Sequence, residues 1–230
     1  MKAMIEDPKH QRLLRLFLVL LLSMLAAGLG YAVLSLPSSA PGLSLLVAEN
    51  LATSGVKNPV TAVLLNFRAY DTLLELGVLL LALLGVWSLG GAPERRESSP
   101  GPVLDTLSRL LLPLLILVAG YLLWVGGHAP GGAFQAGSVL AAAGVLLLLS
   151  GWRLNSRLCG LPLRIALTLG LAVFILVAVA LMLLGGRLLE YPPAFAAALI
   201  LLIEAAATLS IGITLAALFI GGRPDPGANH

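Results

Sequence analysis

Residues 194–220 read AFAAALILLIEAAATLSIGITLAALFI. The run exceeds the roughly 20 apolar residues that cross a hydrocarbon core of about 30 Å at about 1.5 Å per residue. It holds one charged residue, Glu204. Five further apolar stretches of comparable character precede it, at 13–36, 60–89, 104–126, 133–151 and 161–185. The whole chain is 59% hydrophobic and only 11% charged, with a mean hydropathy of +1.00. So few charges cannot coat a water-facing surface, whereas soluble domains carry about 25%. The expected fold is therefore an all-α integral membrane protein with about six transmembrane helices.

The net charge of +3 is small, and its basic residues fall in loops, so they read as orientation signals and not as a nucleic-acid footprint. Cys159 is the one cysteine, which excludes an internal disulfide and a cysteine-ligated iron–sulfur cluster. Lys2, Lys9, Arg12 and Arg15 lead into 13–36, a stretch longer than the h-region of a secretory signal, about 7–15 residues. Pro41 follows the cleavage-like Ser38-Ser39-Ala40 directly, and the segment reads as a retained anchor. Proline and glycine punctuate the gaps, and the 90–103 linker divides two helices from four.

Basic residues alternate across the chain. Lys2, Lys9, Arg12, Arg15, Arg95, Arg96, Arg109, Arg153, Arg157, Arg164 and Arg223 fall on one side. Lys57, Arg68 and Arg187 fall on the other. The positive-inside rule predicts that both termini are cytoplasmic and that the 37–59 segment and the His128 loop face outward.

Three features place polar chemistry where lipid is expected. In the second stretch, Arg68, Asp71 and Glu75 lie at i, i+3 and i+7, on one helix face. An Arg68–Asp71 pair is expected, which leaves Glu75 to meet Lys57, another subunit or water. The alternative is that this end of the helix protrudes to the headgroups. Glu204 lies about ten residues into the last stretch, near the midplane, among apolar neighbours. A neutral, proton-exchanging glutamate and a glutamate that hydrogen-bonds a neighbouring helix as packing glue both fit. The third feature is GHAPGGAFQAG at 127–137. Pro130 stops one helix, and Gly131 and Gly132 allow a tight entry into the next. His128 could pass protons or simply face water in the turn, and Gln135 could bond across helices. No second ligand stands at metal spacing, so no metal site is expected. No phosphate loop, catalytic triad or paired cleft carboxylates are present.

Two motifs carry a resemblance. NPVTAVLLNFRAYDTLLE at 58–75 resembles the motif near the C-terminal end of the large A subunit of Mrp (Mnh) sodium/proton antiporters. It equally resembles a small separate subunit of membrane-bound hydrogenases. GHAPGGAFQAG resembles the signature of the antiporter B subunit, MnhB. The resemblance implies two segments, 1–92 like the C-terminal region of the A subunit and 103–222 like a four-helix B subunit. Arg68, Asp71, Glu75, His128 and Glu204 match family positions. Departures are Asn66 for the usual acid of Asp-Phe-Arg and Ala129 alone between histidine and proline. Ala133 stands for a third glycine, and Leu209-Ser210 for Phe-Asp.

The function so implied is an accessory or ion-pathway subunit of a multisubunit sodium/proton antiporter, not itself an enzyme and without a cofactor. Its partners would be A-, C-, D-, E-, F- and G-type subunits, the lipid bilayer, protons and Na+ or another monovalent cation. Its place would be a bacterial or archaeal cytoplasmic membrane. A second reading is the membrane arm of an ion-pumping oxidoreductase, either a membrane-bound hydrogenase or a complex-I-like assembly. A variant of it is an inorganic-carbon or other solute uptake module. A third is a structural scaffold.

Overall fold

The structure is a computed structural model that describes residues 8–36, 42–89, 101–152 and 158–221. The expectations for Ser38–Ala40, for most of the 90–103 linker, for Arg153 and Arg157 and for the chain ends lie outside those residues. The described residues are helical, as predicted. The helices are α1 (Pro8–Leu34), α2 (Ser44–Asn50), α3 (Pro59–Ala62), α4 (Ala69–Ser88), α5 (Pro102–Val125), α6 (Ala133–Leu149), α7 (Leu161–Leu183) and α8 (Ala196–Ile220). Five of them, α1, α4, α5, α7 and α8, are long and apolar enough to cross a membrane, and α6 is a shorter apolar helix. This is the expected set of about six.

The chain forms two compact units, 1–43 and 44–230. In the first, α1 is one continuous 27-residue helix with no charged residue after Arg15. In the second, α8 is the central element and packs against α6 and α7, with α4 and α5 touching it more lightly. In its most apolar window 56% of α8 is buried, against 11% for α5. Small side chains explain the centrality. Ala206, Ala207, Ser210, Gly212 and Thr214 let neighbouring backbones approach closely, which is how helices associate when lipid supplies no hydrophobic drive. Gly137 of α6 sits against α8 so tightly that a Cβ there would lie 2.7 Å from Ile211. Ser210 Oγ donates to the Leu167 carbonyl at 2.6 Å and ties α8 to α7.

The second apolar stretch departs from one straight helix. After α3 the chain widens into a π-helical turn, Val63–Phe67, and Arg68 closes it at φ −128°, ψ 34°. The Arg68 amide donates to the Val63 carbonyl at 2.7 Å. The Thr72 hydroxyl donates to the Leu64 carbonyl at 2.7 Å, which satisfies an acceptor that the wide turn frees. The residue types from 60 to 89 gave no sign of this break.

Overfilling the α6–α8 seam tests the packing. Gly137→Leu should destabilise the protein by about 1–3 kcal/mol, as overpacking of a tight contact does. A lower melting midpoint of the detergent-solubilised protein checks it. Gly144→Ala, whose Cβ would meet Ala216 at 3.3 Å, should be tolerated much better.

Candidate functional site

Three chain segments meet around Glu204. The first is the strap before α3. Asn58 caps α3, its Oδ1 accepting from the Val60 amide at 3.1 Å, and Pro59 opens the helix where its missing N–H costs nothing. Its Nδ2 reaches the carbonyls of Gly126 at 3.0 Å and Ala129 at 2.9 Å. The Thr61 hydroxyl also donates to the Gly126 carbonyl, at 2.6 Å. The Lys57 and Asn58 amides both donate to the Gly127 carbonyl, at 2.8 and 3.1 Å. The second segment is the Gly126–Gly132 turn between α5 and α6. It is folded back on α5 by bonds from the His128 and Ala129 amides to Val125 and from the Gly132 amide to Leu122. The third is the middle of α8.

Glu204 is 3% exposed. Its carboxylate lies at the start of α6, beside Gly132 and facing the Ala133 amide. Free N–H groups at a helix start need acceptors, and the positive end of the helix dipole favours an anion there. Gly132 makes the approach possible. It adopts φ +111°, and a Cβ on it would stand 2.9 Å from Glu204 Oε1. This pairing sets the start of α6 level with Glu204, eight residues and about 12 Å into α8. That is why α6 has only 17 residues.

Two cavities flank the carboxylate. One, of about 190 Å³, is lined by Lys57, Trp124, His128 and Glu204 together with glycine and apolar groups of the strap and α8. Lys57 and His128 form its rim. The other, of about 30 Å³, is lined by Thr61, Thr72, Gln135, Glu204 and apolar neighbours that include Leu64 of the π-turn. Among the described residues, Glu204 is common to both linings.

The sequence-predicted residues separate accordingly. Glu204, His128, Gln135, Gly131 and Gly132 gather around the cavities, while Pro130 lies exposed in the turn. Arg68 and Asp71 form the expected ion pair, 63% and 45% exposed. With Glu75 they sit on the outer side of α4 and not in the chamber. Asn58, Thr61 and Thr72 were missed as site builders. The Asn58-Pro59 pair, a helix cap before a helix-opening proline, was the available signal. Tyr191, between α7 and α8, is another buried titratable group. Burial pushes its phenol pKa up and keeps it neutral, and it lines neither chamber. Among the described residues no cluster of three His, Cys, Asp or Glu could hold a metal ion.

This fold and these motifs agree with known families. A family model described as "Domain related to MnhB subunit of Na+/H+ antiporter" matches residues 103–222, more than half of the chain. The chain belongs to this MnhB-related family. A second model, MbhE, which describes the E-type subunit of MBH, matches residues 10–96. Among solved structures, the Mrp complex from Dietzia sp. DQ12-45-1b is similar, with a TM-score of 0.65 and 23% identity, over 96% of this chain and 27% of that one. The membrane-bound sulfane sulfur reductase, an archaeal respiratory membrane complex, matches with a TM-score of 0.65 and 23% identity, over 91% of this chain and 97% of that one. At such identity these two structures establish the shared fold. An uncharacterized protein of Methanocaldococcus jannaschii, MJ1307, is 32% identical over 41% of this chain. The chain spans 44% of that relative's length. The MnhB-related chain is thus a multi-pass membrane protein.

The strap can be tested directly. Asn58→Ala removes a helix cap and two bonds to buried carbonyls, and should cost roughly 2 kcal/mol or more. Faster protease cleavage between residues 54 and 62 in detergent, relative to wild type, is the expected readout.

Proposed function

We propose that this MnhB-related chain is a subunit of a multisubunit Mrp-type antiporter that exchanges protons for sodium or another monovalent cation, and that Glu204 is its ion-handling group. One observation carries the reading. A carboxylate with almost no exposure stands at the junction of two cavities, one of which reaches the Lys57–His128 rim. Ionisable groups inside a membrane span are costly and mark ion routes by default. The chain itself is not the enzyme or the complete transporter. In this reading residues 1–92 and 103–222 are the joined equivalents of two adjacent subunits. Both termini lie in the cytoplasm of a bacterium or archaeon, and the rest of the complex is made of A-, C-, D-, E-, F- and G-type subunits. Arg68, Asp71 and Glu75, on the outer side of α4, form a contact for one of those subunits.

A second reading, the membrane arm of an ion-pumping oxidoreductase, is favoured by the match of residues 10–96 to the MbhE family of MBH. Redox centres would then lie in partner chains. The proteins that co-purify with the native complex separate the two readings.

Glu204→Gln should leave the complex assembled and lower cation/proton exchange in membrane vesicles by at least about tenfold, a rise of about 1.4 kcal/mol in the transport barrier. Wild-type exchange in the assembled variant would contradict the role of Glu204 and favour a scaffold. The purified single chain in liposomes should show no exchange, and antiport by it alone would contradict the proposed place in a larger complex.

A further inference from the structure

Far from Glu204, the end of α4 and the start of α7 border an open groove of about 520 Å³. Its wall packs against Ala217 of α8, about 20 Å along that helix from Glu204. We propose that the groove holds one anionic phospholipid of the surrounding membrane, with its phosphate on Arg164 and an acyl chain along Leu80, Leu84 and Leu167. The proposal is independent of the ion-handling reading of Glu204.

The lining has a polar end and an apolar run, as a lipid does. Leu80, Leu84 and Trp87 follow one face of α4 at i, i+4 and i+7. Arg164, Leu167 and Thr168 answer from the first two turns of α7. Trp87 and Ser88 close α4, and Arg164 lies about 5 Å from the start of α7, so the polar end stands where both spans leave the hydrocarbon. Leu80 lies about 10 Å further in. Tryptophan and snorkelling arginine settle at this headgroup level.

Charge selects the headgroup. Arg164 is exposed and has no acid partner among the described residues, whose ion pairs are Arg68–Asp71 and Arg109–Asp105. A guanidinium offers five N–H donors in a planar fork that fits a phosphate. The two hydroxyls cannot replace it. Ser88 Oγ already donates to the Gly85 carbonyl at 2.7 Å, and Thr168 Oγ1 to the Arg164 carbonyl at 2.9 Å, so each is left as an acceptor. The Trp87 indole Nε1 is buried with no hydrogen-bond partner, an unmet donor in the groove wall. A lipid ester oxygen at this depth is an acceptor of the kind it lacks. Arg164 also falls on the side that carries most of the basic residues, and basic pockets between helices at the cytoplasmic face bind anionic headgroups. A protein helix fits the groove less well. Helices associate in lipid through small residues, as α6 and α8 do, whereas Leu80, Leu84, Trp87 and Leu167 wall the apolar part of this groove. A flexible acyl chain can lie between such side chains.

Fluorescence quenching by brominated lipids tests this on the full chain in phosphatidylcholine vesicles. Trp124→Phe with Trp152→Phe, both at exposed positions, leaves Trp87 as the one tryptophan. At equal low mole fraction, phosphatidylglycerol brominated on its acyl chains should quench Trp87 about fivefold more effectively than brominated phosphatidylcholine, as one arginine near an anionic lipid predicts. Arg164→Gln, at a position that does not strain the core, should bring the two lipids level. Arg109→Gln removes a charge already paired with Asp105 and should keep the preference. Equal quenching by both lipids before Arg164 is changed would mean ordinary boundary lipid and overturn the proposal. An equal loss of preference in Arg109→Gln and Arg164→Gln would show a diffuse charge effect and refute it as well. Relief of the quenching by inorganic phosphate would assign Arg164 to a soluble anion and rule out the lipid. A Trp87 that neither lipid quenches would mean that no acyl chain enters the groove.

Discussion

The approach of the Glu204 carboxylate to the amide end of α6 constrains the second unit most tightly. Each partner alone is a problem in an apolar bundle. A carboxylate deep in a helix costs at least about 2.5 kcal/mol on insertion scales. A helix that begins inside protein leaves its first amides without acceptors. Together they answer each other, and the consequences spread outward. Residue 132 has to be glycine, because its φ is +111° and a Cβ would press on the carboxylate. The turn before it has to dip to the level of Glu204, which shortens α6. Its carbonyls at Gly126, Gly127 and Ala129 then need donors, and the Lys57–Thr61 strap supplies them.

Much of this was legible in the residue pattern and part was not. Six apolar runs, separated by proline and glycine, predicted the helices because length and hydropathy alone decide what can cross a bilayer. Arg68 and Asp71 declared their pairing by spacing. The two readings of Glu204, ion carrier or packing glue, are not separated by its geometry. It lies against the start of a neighbouring helix and also borders two cavities. The π-turn was invisible, because the residue types of Val63–Phe67 serve an α-turn and a π-turn equally. The role of Asn58 was hidden for another reason. Its cap to Val60 is local, but its bonds to Gly126 and Ala129 cross 68 and 71 residues of chain. No window on the sequence sees such a distance.

The split of charge between inside and outside also follows from geometry. The break at Arg68 resets the phase of the helix, and α4 turns Arg68, Asp71 and Glu75 outward while Thr72 and Leu76 turn in. An exposed pair such as Arg68–Asp71 contributes little stability in water. On a face that meets lipid or another protein chain, the same pair lowers the cost of two charges at once. It does little to hold this chain together.

The departures from the antiporter pattern now have a physical sense. At 66, where an acid is usual, Asn66 donates through Nδ2 to the Ser54 carbonyl at 2.8 Å. At 210, where an acid is again usual, Ser210 donates to the Leu167 carbonyl at 2.6 Å. An ionised carboxylate has no hydrogen to give and could make neither bond. At both positions of this chain the side chain is a donor that fixes backbone, one to the strap and one to α7. Among the described residues Glu204 is left as the buried acid.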